Sequence, residues 1–318
     1  MAAALQIGDA VRTALLYHLY SGQLFFSAAI VFLAAAIADF SKFLDARPLM
    51  RRAAGFLAVL AIPLAGLSGT PLPAIPAAFV LAATFAYALI GFGARRTRRY
   101  SLGVAAIVAV LMVCAIELPY HLPWHPDLHP SRLFVVGDSL SSGGFGERTT
   151  WPELLGRNLG IPVTNLALPS ETATTALQNQ IPLLPLLGQR DECVIIEIGG
   201  NDMLDGEPGD RFASALDGIL AAARGGNHRT TIVLELPLLP GHWQYGATQR
   251  RLAAKHGALL APKRILAHVL LGRGNTSDGV HLLQQGHEAL ARELERWIGG
   301  ATIEPRAQRA DRAVPHHL

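Results

Sequence analysis

The stretch that decides the fold reads Arg132–Leu133–Phe134–Val135–Val136–Gly137–Asp138–Ser139–Leu140. A run of apolar and β-branched residues stops at Gly137, and a serine follows two positions later. This pattern predicts a buried strand that ends in a sharp turn and carries the Ser139 hydroxyl at its carboxyl end. Open α/β sheets bind ligands at that edge, so Ser139 is a candidate nucleophile. A serine after a strand is more often a turn residue or a helix cap, and the other strands decide between these interpretations.

Strand-like and helix-like runs alternate through the second half of the chain, over residues 131–300. The predicted strands are 132–136, 162–166, 192–198, 230–236 and 258–261, and the predicted helices are 151–159, 173–181, 210–224, 246–256 and 283–298. Strands that alternate with helices form βαβ units, which give a parallel sheet with helices on both faces. The sequence therefore predicts an α/β domain in this half.

Polar segments follow three of the other predicted strands. They are Asn165–Thr172 at the second strand, Gly199–Asp202 after the third, and Ser277–His281 beyond the fifth. A serine hydroxyl needs a base that removes its proton, and the usual base is a histidine oriented by a carboxylate. Asp278 and His281 are three residues apart around a glycine, so one short turn presents both. Each residue has an ordinary structural interpretation, but their convergence at one sheet edge favours catalysis.

The same edge offers hydrogen-bond donors for an oxyanion. Asn201 lies in a glycine-lined turn and can supply its side-chain amide. The backbone N–H of Ser139 and an N–H from the loop that holds Ser170 complete the predicted oxyanion hole, because donors fixed in advance stabilise the developing negative charge.

Three further acidic residues lie near this predicted site. Asp138 and Asp202 precede or open helical turns, where a carboxylate most often caps a helix. Glu197 stands on the third predicted strand, and we expect it to be a hydrogen-bonded structural group. None of the three is assigned a catalytic role.

Three motifs, GDSL at 137–140, GGND at 199–202 and DGVH at 278–281, resemble the SGNH (GDSL) hydrolase family in order and spacing. The segment WPELL at 151–155 and the glutamate before GGND resemble its bacterial lysophospholipase, thioesterase and arylesterase branch. This resemblance covers about 131–300. It implies a flavodoxin-like αβα sandwich and an esterase that uses no metal and no cofactor. It also implies the roles of nucleophile for Ser139, base for His281, orienting carboxylate for Asp278 and oxyanion donors for Asn201 and a backbone N–H.

The sequence departs from that family at one position. The second block usually holds a glycine, and the matching residue here, five after Asn165, is Ser170. The N–H of Ser170 remains a donor. If the backbone there needs a positive φ, however, a serine is strained and its N–H is displaced.

Residues 1–118 differ in composition from the rest of the chain. Charged residues make up 16% of the whole sequence, against about 25% in ordinary soluble domains, and none occurs from Ala53 to Ala94. Four apolar segments stand at 14–38, 54–68, 74–93 and 102–116. The first and third have the roughly 20-residue length of a spanning helix, whereas the second and fourth are short. We therefore expect an α-helical transmembrane domain of about four helices, with the lipid bilayer as its partner.

The basic residues predict an orientation. They are concentrated in the first and third connections, at Lys42, Arg47, Arg51, Arg52, Arg95, Arg96, Arg98 and Arg99. Basic connections stay in the cytoplasm. Four spans then place the α/β domain on the periplasmic or extracytoplasmic side of an inner membrane. If a short segment is re-entrant, the domain lies in the cytoplasm instead.

Two segments flank the α/β domain. Residues 119–130 read PYHLPWHPDLHP, with three histidines at four-residue spacing. That spacing invites a zinc interpretation, but the interleaved prolines prevent the helix that would align the histidines, which favours a stiff linker. Residues 301–318 are arginine-rich and predicted to be disordered. No basic face with aromatic readers stands in the sequence, which argues against nucleic acid as a partner.

Together these patterns predict a membrane-anchored serine hydrolase that cleaves carboxylic esters or thioesters of small molecules, lipids or envelope glycans. An envelope O-acyltransferase with the same triad and a catalytically silent membrane receptor are the alternatives. The intact serine, asparagine, aspartate and histidine argue against the receptor. The loop Met203–Gly209 after GGND is expected to border the acyl site.

Overall fold

A computed structural model describes residues 2–40, 47–91, 96–144, 146–186, 188–226 and 228–299. The N-terminal helices are α1 Ala2–Tyr20, α2 Gln23–Asp39, α3 Pro48–Leu67, α4 Ala74–Ala86, which continues as a π-helical turn over Tyr87–Gly91, and α5 Arg96–Glu117. Helices α2, α3, α4 and α5 pack on one another as a bundle. The predicted disordered tail, Lys42 and Arg95 lie outside the described residues.

The first apolar segment is not one continuous helix. The helical axes of Ala10–Tyr20 and Gln23–Asp39 differ in direction by 85°. The break falls at Gly22, whose φ of +83° is left-handed and interrupts the helical path. His18 Nε2 lies 2.8 Å from the Ser27 hydroxyl oxygen, across the bend. The predicted segment 14–38 is therefore not one straight helix but two helices joined at a sharp bend.

The lengths of the other apolar segments also differ from the prediction. Two described helices, Pro48–Leu67 and Thr97–Tyr120, are long and apolar enough to cross a membrane, or three if the bent α1–α2 pair counts as one span. These two are the segments predicted to be short, because each helix continues through the basic residues that bounded its apolar run. The segment expected to be long contributes the shorter apolar helix Ala74–Leu89.

A buried carboxylate joins the helices at the end of the bundle that carries the basic connections. Asp39 is fully buried, and its Oδ2 lies 3.4 Å from Arg99 Nε. The Tyr87 hydroxyl donates to the same oxygen at 3.1 Å, and Arg51 Nε lies 3.9 Å from Oδ1. A buried charge is costly unless it is paired, so this group fixes α2, α3 and α5 to one another and to the π-helical turn.

The second half is the predicted α/β domain. A parallel sheet has the strand order β2-β1-β3-β4-β5. The strands are β1 Arg132–Gly137, β2 Val163–Asn165, β3 Glu192–Glu197, β4 Thr230–Leu234 and β5 Leu259–Ala261. The helices are α6 Ser139–Ser142, α7 Trp151–Leu159, α8 Ala173–Asn179, α9 Gly200–Asp205, α10 Gly209–Ala223, α11 Trp243–His256, α12 Arg264–Leu270 and α13 Gln284–Gly299. This strand order is the flavodoxin-like one, which confirms the predicted α/β class and strands.

Two hydrophobic cores cover the two faces of this sheet. Side chains alternate along β1, so Phe134 and Val136 join one core while Leu133 and Val135 join the other. Helices α8, α10 and α11 close the first core. Helices α7, α12 and α13 close the second. Because both faces are covered, the carboxyl edge is the part of the sheet where loops are free to form a site.

A buried ion cluster joins the bundle to the α/β domain. Arg250 donates from both terminal nitrogens to the Glu117 carboxylate, at 2.6 and 3.0 Å. Its Nε donates to Glu235 at 2.7 Å, and its guanidinium lies 3.6 Å from the centre of the Tyr120 ring. Glu117 ends α5 and Glu235 follows β4, so one arginine connects a helix of the bundle to the edge of the sheet.

The segment 119–130 packs on the α/β domain rather than acting as a free spacer. His121 pairs with Glu117 at 3.1 Å. The Leu128 N–H donates to the carbonyl of Ile298 at 2.8 Å, and the Trp124 ring meets the Trp297 ring edge to face, 5.9 Å between centroids. The segment 119–130 is thus a linker that contacts Glu117 and the α/β domain at His121, Trp124 and Leu128.

Candidate active site

Ser139 lies where the sequence predicts, at the carboxyl end of the central strand β1. It is the first residue of the short helix α6 and is 7% exposed. Gly137 makes the tight turn possible, because a Cβ there would lie 2.7 Å from the Ser141 hydroxyl oxygen and 3.0 Å from the Glu197 carbonyl oxygen. A larger residue at this position would push α6 away from the sheet.

A buried glutamine fixes the same turn. Gln180 accepts from the Gly137 N–H at 3.0 Å and donates to its carbonyl at 2.8 Å. The side chain is fully buried. This residue was not foreseen, and no local sequence signal marks it, since its partner lies 43 positions away.

A pair of buried carboxyl groups lies beneath the turn. Asp138 caps α6 by accepting from the Leu140 N–H at 2.9 Å, as expected for this position. Glu197 accepts from the Ser141 hydroxyl at 2.7 Å and forms a hydrogen bond with Asp138. Both predictions, a cap and a hydrogen-bonded structural group, are confirmed.

The protonation of this carboxyl pair follows from its burial. Burial, and then the charge of Asp138, raise the pKa of Glu197 well above its ordinary value. Burial, and then the charge of Asp202, raise the pKa of Asp138 to about 6, although the Leu140 N–H and the charge of His281 oppose the shift. Glu197 is therefore the member that keeps its proton, and it donates to Asp138. The pair holds α6, and with it Ser139, on the end of the sheet.

Asp278 and His281 form the expected pair. His281 Nδ1 lies 2.6 Å from Asp278 Oδ2, and the other carboxylate oxygen accepts from the His281 N–H at 2.8 Å. The Val280 N–H donates to that same oxygen at 3.0 Å. The hydrogen bond from the His281 side chain, followed by those backbone N–H groups, lowers the pKa of Asp278 below its ordinary value. An ionised aspartate on Nδ1 leaves Nε2 as the basic nitrogen of the ring.

Asn201 is held at the start of the helix after β3. Its amide donates to the Glu171 carbonyl at 2.8 Å and makes a long contact of 3.5 Å to Asp138 Oδ2. The first bond fixes the plane of the amide, and the second N–H is held weakly. Asp202, the next residue, accepts from the Ala173 N–H at 2.9 Å, so it caps α8 rather than its own helix.

Ser170, which stands where the family usually has glycine, has a backbone conformation that glycine adopts more easily. Its φ is +61°, in the left-handed region that a non-glycine residue rarely adopts. The residue is exposed. The structure does not bring it into the cavity wall that contains Ser139 and Asn201. Of the predicted site residues, Ser170 and His281 are the two that do not line this cavity, although the turn that holds His281 reaches it through Asp278, Gly279 and Val280.

A cavity of about 250 Å³ opens beside Ser139. Its polar wall contains Asp138, Ser139, Glu197, Gly200, Asn201 and Asp278. Its apolar wall contains Tyr20, Met203, Leu204, Leu236, Pro237, Leu239, Leu266, Ala267, Leu270, Leu271 and Val280. The loop after GGND borders this cavity through Met203 and Leu204, as predicted. Within the described residues, no three His, Cys, Asp or Glu side chains are grouped to hold a metal ion.

The sequence of this domain matches a known family. Residues 135–289 match the model of the GDSL-like Lipase/Acylhydrolase family. We call this stretch the GDSL-like domain. The matched residues include Ser139, Asn201, Asp278 and His281. The chain is an ester-hydrolysing enzyme. No curated protein matches the chain.

Several solved structures are similar to the GDSL-like domain. A psychrotrophic esterase, EstA, from Pseudoalteromonas sp. is 19% identical with a TM-score of 0.46, and covers 52% of this chain and 96% of its own. TesA is 26% identical with a TM-score of 0.44, over 51% of this chain and 95% of its own. A lipase/acylhydrolase from Enterococcus faecalis is 18% identical with a TM-score of 0.42, over 54% and 96%. About half of this chain has no counterpart in these structures.

One cavity residue comes from outside the GDSL-like domain. Tyr20 belongs to α1, in the N-terminal region. No sequence pattern places it beside Ser139, since 118 residues lie between the two. The signal that would have pointed to it is the Ser21–Gly22 pair, which ends α1 inside an apolar run.

Proposed function

We propose that this protein is a membrane-anchored serine esterase or acylhydrolase in which Ser139, His281 and Asp278 form a catalytic triad. The observation that carries the proposal is the apolar cavity whose wall contains Ser139, Asn201 and the 278–280 part of the turn that holds His281. An apolar cavity with a few polar groups on one side suits an acyl chain with a reacting ester at its end. The presence of WPELL at 151–155 and of Glu197 supports the lysophospholipase, thioesterase and arylesterase branch.

The first half of the proposed reaction forms an acyl-enzyme. The Ser139 hydroxyl oxygen attacks the ester carbonyl carbon while its proton passes to His281 Nε2. Asp278, bonded to Nδ1 at 2.6 Å, stabilises the imidazolium that results. The carbonyl oxygen becomes an oxyanion. When the intermediate collapses, the bond to the alcohol oxygen breaks and His281 returns its proton to that leaving group.

The oxyanion is stabilised by donors placed in advance. The Ser139 N–H is at the first position of α6, where helical N–H groups have no partner within the helix. The Asn201 amide supplies a second donor, since its contact with Asp138 is long. The Ser170 loop, predicted to give a third donor, is not part of the cavity wall and is given no role in this step. In the second half of the reaction, His281 Nε2 takes a proton from water while the water oxygen attacks the acyl carbon. The bond from that carbon to the Ser139 oxygen then breaks, and His281 returns the proton to the serine oxygen as the acid leaves.

We also propose that the helical bundle crosses a membrane and that the GDSL-like domain lies on its outer side. Arg51 and Arg99 pair with Asp39 at one end of the bundle, and Arg52 and Arg98 are their neighbours in the sequence. At the opposite end, Glu117 contacts the domain through Arg250. Basic residues favour the cytoplasm, so this separation supports an extracytoplasmic domain and substrates from lipids or the envelope.

Two experiments test the proposal. Ser139→Ala and His281→Ala should each abolish ester hydrolysis by the full chain in detergent, with unfolding temperatures unchanged. Ser142→Ala, a serine of the same short helix, is the matched control and should retain activity. A fluorophosphonate should label Ser139, and labelling at Ser141 or Ser142 would contradict the assignment.

For the topology, a reporter that is active only outside the membrane is fused to the carboxyl terminus and, separately, at Arg98. The first fusion should report and the second should stay silent. A silent carboxyl-terminal fusion with an intact protein would place the domain in the cytoplasm.

A further inference from the structure

The wall of the substrate cavity is built by two regions of the chain. Most of its apolar surface belongs to the GDSL-like domain, including Leu204, Leu266 and Leu270. Tyr20, the last residue of α1, completes it from the N-terminal region. A tyrosine is a large and stiff side chain that covers much apolar area with few rotatable bonds. A residue of the N-terminal region therefore limits the space beside Ser139.

The position of Tyr20 is fixed by the contacts that follow it. The chain bends at Gly22, where a Cβ would lie 2.8 Å from both Cε and Nζ of Lys263. Lys263 is the residue before α12, and it is buried. Helix α12 in turn supplies Leu266 and Leu270 to the cavity. The bend after Tyr20 is thus packed against the start of a helix that also lines the cavity.

Two residues of α1, Tyr17 and His18, make three further contacts that hold the helix in place. The Tyr17 ring meets the His268 ring of α12 edge to face, with centroids 6.2 Å apart. His18 reaches across the bend to Gln23 at 3.1 Å and to Ser27 at 2.8 Å. These contacts lie on either side of Tyr20 in the sequence. They fix the direction in which α1 leaves the bundle, and so they fix the place of the Tyr20 side chain.

We propose that Tyr20 is a specificity-determining residue that forms part of the acyl-chain wall, so that the N-terminal helices complete the substrate site. The inference rests on the proposed function, because it assumes that the acyl chain of the ester occupies the cavity beside Ser139. The cavity, about 250 Å³, is smaller than the roughly 300–1,000 Å³ typical of small-molecule sites. A ring in its wall therefore restricts the length of chain that fits. The enzyme accepts short acyl chains better than long ones for this reason.

The test measures kcat and KM of the full chain in detergent on p-nitrophenyl esters from acetyl to dodecanoyl. Tyr20→Ala should raise kcat/KM for long chains relative to short ones by at least about tenfold, since small differences in apolar pocket size change discrimination by that order. Tyr20→Phe keeps the ring and should retain the wild-type profile, whereas Tyr20→Trp should shift it toward shorter chains. Leu15→Ala, an exposed residue of the same helix at 65% exposure, is the matched control and should change nothing.

Each outcome decides between the possibilities. A Tyr20→Ala enzyme with the wild-type chain-length profile overturns the inference, and so does an equal loss for every ester, which indicates a structural role alone. If Tyr20→Ala does not fold, the profiles of the Phe and Trp variants decide, and identical profiles for these two overturn it. If the wild-type protein hydrolyses none of the esters and a fluorophosphonate does not label Ser139, the proposed function itself fails, which is a distinct result.

Discussion

Arg250 offers the sharpest test of how the two parts of the molecule are joined. Its guanidinium donates three hydrogen bonds, two to Glu117 at the end of α5 and one to Glu235 after β4. The side chains of all three residues are at most 6% exposed. We consider the substitution Arg250→Met, which keeps the length and much of the apolar stem but removes the charge and all five donors.

The expected loss of stability follows from the partners that Glu117 and Glu235 would keep without Arg250. Glu117 would retain His121 at 3.1 Å, and Glu235 would retain the Lys263 N–H at 3.1 Å. Neither group is strong enough to replace an arginine that bonds one carboxylate through both terminal nitrogens. Removing one partner of a buried ion pair costs about 3–5 kcal/mol, because the remaining charge is buried without compensation. We expect Arg250→Met to lower the free energy of unfolding by about that amount.

The assay is thermal unfolding of the full chain in detergent, with limited proteolysis of the segment 119–130 as a second readout. Arg251→Ala is the matched control, since Arg251 is the next residue on the same helix and is exposed. An exposed substitution of that kind changes stability by no more than about 0.5 kcal/mol. Adding Glu117→Gln to Arg250→Met should recover part of the loss, because it removes the charge left unpaired. If Arg250→Met unfolds at the temperature of the Arg251→Ala control, the cluster does not hold the two parts together.

Two further predictions concern the predicted site. Ser170→Gly should keep or raise the activity and should not lower the unfolding temperature, because glycine adopts a φ of +61° without the steric cost that serine bears; a strong loss of kcat would show that the serine hydroxyl has a role of its own. Glu197→Gln should make stability less dependent on pH. Since the pKa of Glu197 is raised in the folded protein, the native state holds a proton that the unfolded state releases, so wild-type stability falls as pH rises from the ordinary glutamate pKa toward the raised one. Unfolding temperatures measured between pH 5 and pH 8 should therefore fall less for the variant, and parallel curves would refute the shared-proton arrangement.

The α/β domain was predictable because its signals are local and mutually consistent. Each strand is an apolar run that ends in a turn, and each intervening helix has the length of a βα crossover. The short helices α6, α9 and α12, of four, six and seven residues, are not among the predicted helices, since so few turns give little periodicity. The strand order 2-1-3-4-5 came from the resemblance to a family, because periodicity contains no information on which strands are neighbours.

The N-terminal region shows where composition misleads. The segment 14–38 contains no charged residue, and hydropathy joins its two helices into one span. The decisive feature is the left-handed Gly22, which a sliding average treats as a neutral residue. The helices α3 and α5 were underestimated for the opposite reason, since flanking arginines end an apolar window without ending a helix. Arg99 remains inside the bundle because Asp39 neutralises it there.

The site was predictable to the extent that its residues share a motif. Ser139, Asn201, Asp278 and His281 each follow a strand or precede a helix in a short polar block, and that pattern can be read locally. Gln180 and Tyr20 have no such block. Gln180 acts on the turn from 43 positions away, and Tyr20 enters the cavity from a different region of the chain. Contacts of this kind depend on how elements are packed, which a single sequence does not record.

These same long-range contacts argue that the helical bundle and the GDSL-like domain form one functional unit under the proposals made above. A fragment that starts at residue 131 would keep the motif residues but lose Glu117, so that Arg250 would face Glu235 alone. It would also lose Tyr20 from the wall beside Ser139. Glu235 directly precedes Leu236, which lines the same cavity. Loss of the contact between Glu117 and Arg250 would therefore change the surroundings of a residue bonded to the cavity wall. The fragment would therefore differ from the full chain in stability and in the shape of its cavity, although every motif residue is present in both.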